Sequence, residues 1–305
     1  MSASNMSEVA AKTLGSANSY AVYTDTFDPS QLNPMPRALA RGDWGIKGNE
    51  FVGYDTWHCH EATFLLNNGL PIAGTLKIIC PADSEFMVES KSFKLYLNTF
   101  DMCKMGDKIV EAIENYENQV KKDISECIGK EVEVSFFREG EQVVFEGDPG
   151  DGYYDLFRLL GNKKLEDLEI TDYSGKENHF SIIPAETSDD ISVMTGILRS
   201  RCRHTKQKDT GAAYFHIITE GGIVDLQSLL EEVIALREVN EFHEFCSEKL
   251  FTALTSHPEV KDCVVMLLYS RRGSLDINPV RATRAELIPQ ALIDAKVYTK
   301  KAMGQ

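Results

Sequence analysis

The sequence predicts an α+β protein in which antiparallel strands are covered by helices. Three observations carry that expectation. Residues 57–81 read as a β-hairpin: an apolar run from Trp57 to Leu66, a turn at Asn67-Asn68-Gly69, then a second run from Ile72 to Cys80. The order hairpin, helix, strand recurs in the second half of the chain. No GxGxxG or GxxxxGK[ST] stretch is present, so the usual phosphate cradles of doubly wound parallel sheets are missing.

After the first hairpin, Ile109, Ile113, Tyr116, Val120, Ile124 and Cys127 recur at spacings of three and four, the pattern of one helix face. Asp107 is placed to cap this helix and Gly129 to stop it. Glu131 to Phe137 then alternates as a strand. In the second half, Tyr214 to Thr219 reads as a strand, Leu226 through Leu254 has helical periodicity, and Cys263 to Tyr269 is an apolar strand. Between the halves, residues 146–187 are rich in Gly, Pro, Asp and Asn, notably Gly147-Asp148-Pro149-Gly150-Asp151-Gly152, and read as a linker or insertion. The expected organisation is a disordered tail over 1–20, one module over 21–145, the linker, and a second module over 188–305.

Composition narrows the function. At 305 residues, two packed modules are the natural expectation. With 43% hydrophobic and 26% charged residues and no apolar run of membrane-spanning length, the chain reads as soluble. A net charge of −15 disfavours broad contact with nucleic acid or anionic membranes. Seven scattered cysteines without a CxxC pair, and an N-terminus lacking an apolar signal core, point to reduced thiols in a cytoplasm.

The sharpest local anomaly is Arg199 to Lys208, where five Arg or Lys residues surround Cys202 inside an acidic protein. Nearby cations lower a thiol's pKa and the thiolate is the nucleophile, so Cys202 is a candidate for covalent chemistry. Asp209, seven residues on, is the first acid after the run and would donate a proton if burial raised its pKa. A solvated basic loop with an incidental cysteine would look the same. Asn240-Glu-Phe-His-Glu244 lies in a helical region, with Phe242, Phe245 and Cys246 suited to a core and His243 and Glu244 pointing elsewhere; a structural histidine reads equally well. Glu89 to Leu97 sets two lysines and two serines beside an acid, either a phosphate and heterocycle contact or an ordinary strand-to-helix connection. In His58-Cys59-His60-Glu61, a strand would put the two histidines on one face and Cys59 and Glu61 on the other, so the four do not converge on a metal. Arg271 and Arg272 follow a strand and suit phosphate or an acidic partner.

Taken together, ESKSFKLYLNTF at 89–100, the Cys202 to Asp209 pair, NEFHE at 240–244 and RRGSLDINP at 271–279 resemble the 7-cyano-7-deazaguanine reductases in their long two-module form, over roughly residues 20–290. The resemblance implies tandem tunnelling-fold modules, antiparallel sheets with helices packed on one face. It implies NADPH-dependent four-electron reduction of the nitrile of 7-cyano-7-deazaguanine to a primary amine through a cysteine thioimide. Carried over by position, the nucleophile falls on Cys202, the proton-donating aspartate on Asp209 and the histidine on His243. Glu89, Ser90, Phe242 and Glu244 match residues holding the deazaguanine. Lys91, Ser92, Lys94, Arg271 and Arg272 match the NADPH-facing region. A homodimer is implied, without a resident metal, nucleic acid or membrane as partner.

The chain departs from the family at Lys208 and Thr210, where proline and tryptophan are common, and at Arg203-His204. Alternatives are an amidine-forming relative that acts on the same nitrile without reduction, a hydrolase related to GTP cyclohydrolase, and a non-catalytic deazaguanine-binding protein.

Overall fold

Strand alternation in both halves is spent on a single sheet. A computed structural model describes residues 26–48, 50–140 and 145–301; the tail predicted over 1–20 lies outside the described residues. Eight strands, β1 (Val52–Leu65), β2 (Pro71–Pro81), β3 (Glu133–Arg138), β4 (Tyr154–Asp155), β5 (Asp190–Arg201), β6 (Lys208–Thr219), β7 (Val260–Tyr269) and β8 (Leu275–Ala282), are ordered β3-β2-β1-β8-β7-β6-β5-β4. All neighbours are antiparallel except the two-residue pairing of β4 with β5. The first half joins the second directly, through β1 on β8 from Leu275 opposite Cys59 to Ala282 opposite Val52. The architecture is the α+β class that the sequence predicts, and the first hairpin turns at Gly69 with φ +89°.

Among the described residues five helices of eight residues or more accompany it: α1 (Arg37–Trp44), α2 (Ser90–Asn98), α3 (Ile109–Ile128), α4 (Leu226–Ala235) and α5 (His243–Thr255). The stripe of α3 buries Ala112, Tyr116, Val120, Ile124 and Ile128, and Gly129 ends it at φ +73°. The predicted cap is corrected: Lys108 holds the N-cap position and Glu111 accepts its N–H, while the Asp107 carboxylate accepts from Asn67 instead. The helical periodicity from 226 to 254 is also not one helix. A 3-10 turn at Leu236–Glu238 and extended backbone at Val239 and Phe242 break it. The register of apolar residues resumes afterwards, which is why the break is invisible in the periodicity.

Side chains alternate between two environments. Cys263, Val265, Leu267 and Tyr269 of β7 pack with residues of α4 and α5, whereas Val264, Met266 and Leu268 face Ile288 and Leu292 of the C-terminal segment on the opposite side. In the first half Trp57 and Cys59 pack with Phe93 and Tyr116. The stretch 146–187 holds β4, a short helix (Leu156–Leu160) and a strand (Ile182–Pro184), and it buries Leu156 and Phe180. Among the described residues no helix is long and apolar enough to cross a membrane.

A buried ion network ties α1 and α5 to the sheet. Arg281 lies 2.9 Å from both Asp55 and Glu248, Arg37 lies 2.6 Å from Asp55, and Arg41 lies 2.8 Å from Glu248. A Cβ on Gly53 would come within 2.7 Å of the Arg281 side chain, so glycine is required opposite it. Every charge in this set is paired, the condition under which buried ions are tolerated.

Candidate active site

Where β1 meets β8, the N-termini of α2 and α5 and the β5–β6 hairpin end enclose a cavity of about 540 Å³. Trp57, Met87, Leu275 and Ile277 give it apolar walls, and Cys202, Asp209, Glu89, Glu244 and His243 face it. A mostly apolar cleft with a few convergent polar groups is the usual form of a small-molecule site.

The hairpin explains the spacing of Cys202 and Asp209. Ser200 pairs with Asp209 and Arg201 with Lys208, and the Cys202 N–H donates to the Gln207 carbonyl at 2.9 Å. Residues 207 and 209 then share one face of the strand, and the Arg272 guanidinium bonds to both side chains. Seven positions in sequence become adjacent positions across a turn. The loop is tight enough to put Lys206 at φ +59°, and the Thr205 N–H points at the Cys202 sulfur from 3.5 Å.

The cations around Cys202 are largely committed elsewhere. Arg199 and Arg201 pair with Glu238, and Arg203 is held by Asp43 at 2.9 Å and Glu241 at 2.7 Å. The three arginines of the run are therefore tethers that fix the hairpin, while Lys206 and Lys208 are exposed. Asp209 corrects a second expectation. Burial pushes its carboxyl up, but attraction to His243 and Arg272 outweighs that, so its pKa lies below the ordinary value and the residue stands as a carboxylate. The Asp209 Oδ1 is 2.5 Å from Arg272 Nη1, and its Oδ2 is 3.6 Å from His243 Nε2.

The two glutamates are held differently. Glu89 caps α2, its oxygens accepting from the N–H groups of Lys91 at 3.0 Å and Ser92 at 2.7 Å, and burial raises its pKa. Glu244 sits in the first turn of α5 at 2% exposure. Burial, then the negative charge of Asp55, raises its pKa to about 7, and among the described residues no other side chain donates to it. It is buried, against the expectation that it points away from the core. The break between α4 and α5 puts it at a helix start, with His243 and Phe242 beside it.

Of the residues singled out in the sequence, Cys202, Asp209, His243, Glu89, Ser90, Phe242, Glu244, Lys91, Lys94 and Arg272 line the cavity. Ser92 and Arg271 do not. Ser92 is fully buried, its hydroxyl donating to the Glu89 carbonyl at 2.6 Å and accepting from Asn33 N–H, so it shapes the helix start. Arg271 is exposed and outside the lining. Trp57, Gln207, Glu241 and Tyr269 escaped the sequence reading. Trp57 and Tyr269 lie in apolar strand runs that look like plain core.

His58 and His60 both turn to Asp276, at 2.8 and 2.6 Å, together with Lys301 at 2.9 Å, while Cys59 packs on the other side of the sheet. Among the described residues no group of three or more His, Cys, Asp or Glu side chains is placed to hold a metal ion.

Residues 23–136 match the family described as nitrile reductase, 7-cyano-7-deazaguanine-reductase N-term. That span supplies Trp57, Glu89, Ser90, Lys91 and Lys94 to the cavity, and Cys202, Asp209, His243 and Glu244 come from beyond it. Over residues 23–136, therefore, the chain is similar to the N-terminal part of the 7-cyano-7-deazaguanine reductases.

Proposed function

We propose that the protein is an NADPH-dependent nitrile reductase that converts 7-cyano-7-deazaguanine to its aminomethyl product through a thioimide on Cys202. The observation that carries this reading is the convergence, in one cavity, of a thiol beside a carboxylate and a histidine with two buried carboxylates of raised pKa. A nitrile carbon is a poor hydride acceptor, and addition of sulfur first makes it a better one.

The resting charge of Asp209 sets the order of proton movements. As a carboxylate it takes the Cys202 proton while sulfur bonds to the nitrile carbon, then passes that proton to the nitrogen, so the C≡N becomes C=N–H with no net charge change. Glu89 and Glu244 accept from the N–H groups of the aminopyrimidinone edge, and a site whose buried acceptors need those donors rejects analogues lacking them. Phe242 and Trp57 flank the bicyclic ring. NADPH, when bound, supplies one hydride per molecule, so two are consumed per amine. Lys91, Lys94 and Arg272 would hold it: they are a phosphate-binding donor set on the cavity lining, and Gly273 leaves room there, since a Cβ would come within 3.1 Å of Lys94 Nζ. His243 supplies a proton to the nitrogen during reduction.

The test separates bond formation from reduction. Protein mixed with 7-cyano-7-deazaguanine and no NADPH gains one ligand mass and a new near-ultraviolet absorbance, and Cys202→Ala abolishes both. With NADPH, two cofactors are oxidised per amine. An adduct that persists on another cysteine, or ammonia incorporation without NADPH loss, overturns the reading.

A further inference from the structure

A histidine that moves protons usually has its ring fixed by a hydrogen bond from Nδ1 to a carboxylate or carbonyl, which sets both tautomer and orientation. His243 has none. Its Nδ1 is buried without a hydrogen-bond partner, and Nε2 stands 3.6 Å from Asp209, beyond normal hydrogen-bond length. What the ring does have is Tyr269: the two ring centroids are 3.6 Å apart and the planes are within 5°.

We propose that Tyr269 is the positioning residue for His243, its stacked ring replacing the missing Nδ1 hydrogen bond. This deepens the reading of His243 as a proton donor and rests on it. Tyr269 is itself packed on all sides. It ends β7, is fully buried, and its hydroxyl lies 3.3 Å from Ser200 Oγ and hydrogen-bonds with the Cys246 side chain. Its backbone is pressed against Gly211 of β6, where a Cβ would come within 2.8 Å of the Tyr269 Cα. Sheet and helix thus fix the phenol first, and the phenol fixes the imidazole. Two consequences follow. The stack holds the ring plane so that only Nε2 can address Asp209 and the reacting nitrogen. A buried N–H without an acceptor costs more than a buried lone pair under the same constraint, so the neutral ring carries its proton on Nε2.

Nuclear magnetic resonance and kinetics test this together. In the full-length protein the His243 ring protons are displaced upfield by the Tyr269 ring current and the neutral ring is the Nε2–H tautomer. Tyr269→Phe keeps both signatures. Tyr269→Leu loses them, drops kcat by on the order of 100-fold, as misplacement of a reacting group does, and slows thioimide formation without NADPH far less than it slows turnover, since Arg272 still holds Asp209 for that step. Tyr269→Phe restores kcat to within a few-fold. Unshifted ring protons in the native protein, wild-type turnover in Tyr269→Leu, or a Phe variant as impaired as the Leu variant would overturn the assignment. If Tyr269→Leu does not fold, the native spectrum and the Phe variant still decide it. Full turnover by His243→Ala would instead remove the catalytic role of His243 and leave the stack to stand on its spectrum.

Discussion

Replacing Glu244 by glutamine should make the protein more stable and a worse enzyme, and the size of the stability gain depends on pH. Burial, followed by the charge of Asp55, raises the Glu244 carboxyl from 4.5 to about 7, with His243, Arg37 and its own backbone N–H pulling the other way. At about 1.4 kcal/mol per pKa unit, ionising it inside the folded protein costs about 3 kcal/mol relative to the unfolded chain. The folded state binds this proton more tightly, so the contribution is fully favourable below pH 4.5 and is lost as pH rises to about 7. Glutamine keeps the shape and never ionises. Urea unfolding at several pH values, extrapolated to water, should give equal stabilities near pH 4.5 and an advantage for Glu244→Gln of up to about 3 kcal/mol at pH 8. Affinity for 7-cyano-7-deazaguanine should fall by roughly 10–100-fold, since a charge-assisted hydrogen bond is worth about 1.5–3 kcal/mol. A variant less stable than the parent at pH 8, or a stability difference that does not change with pH, would refute the reasoning.

Three further outcomes follow from the same structure. If Asp209 takes the thiol proton as proposed, Asp209→Asn should slow thioimide formation by about 100-fold or more while ligand binding, read by calorimetry, persists. Lys91→Ala should raise the apparent KM for NADPH severalfold and leave thioimide formation intact, and NADPH should outperform NADH; equal efficiency of the two cofactors would show that Lys91, Lys94 and Arg272 do not contact a phosphate. Arg281→Met leaves Asp55 with Arg37 and Glu248 with Arg41 and removes only the charged hydrogen bonds that Arg281 makes to both, at a cost of about 1.5–3 kcal/mol, and should lower Tm in a thermal scan by several degrees.

Much of this protein is legible from local rules. The hairpin at 57–81, the apolar stripe of α3 and its glycine stop depend on neighbours within a few residues, and each stands where the periodicity puts it. The alternation that separates His58 and His60 from Cys59 is equally local. The separation of Cys202 and Asp209 was visible as a number, and the hairpin gives that number its physical meaning.

What sequence could not decide is which partner each charge takes. The basic run around Cys202 reads as an activating field until tertiary packing brings Glu238, Glu241 and Asp43 to its arginines. Asp209 reads as a buried acid until Arg272, 63 residues away, and His243 make it a carboxylate. Ser92 reads as a ligand contact, and its hydroxyl is used up inside the helix start. Tyr269 gave no signal at all in an apolar strand, because a stack depends on where two chain segments meet. Residue pattern sets backbone conformation and apolar faces, whose causes are short-range; charge state and ring orientation are set by atoms close in space and distant in sequence, and only the fold supplies those.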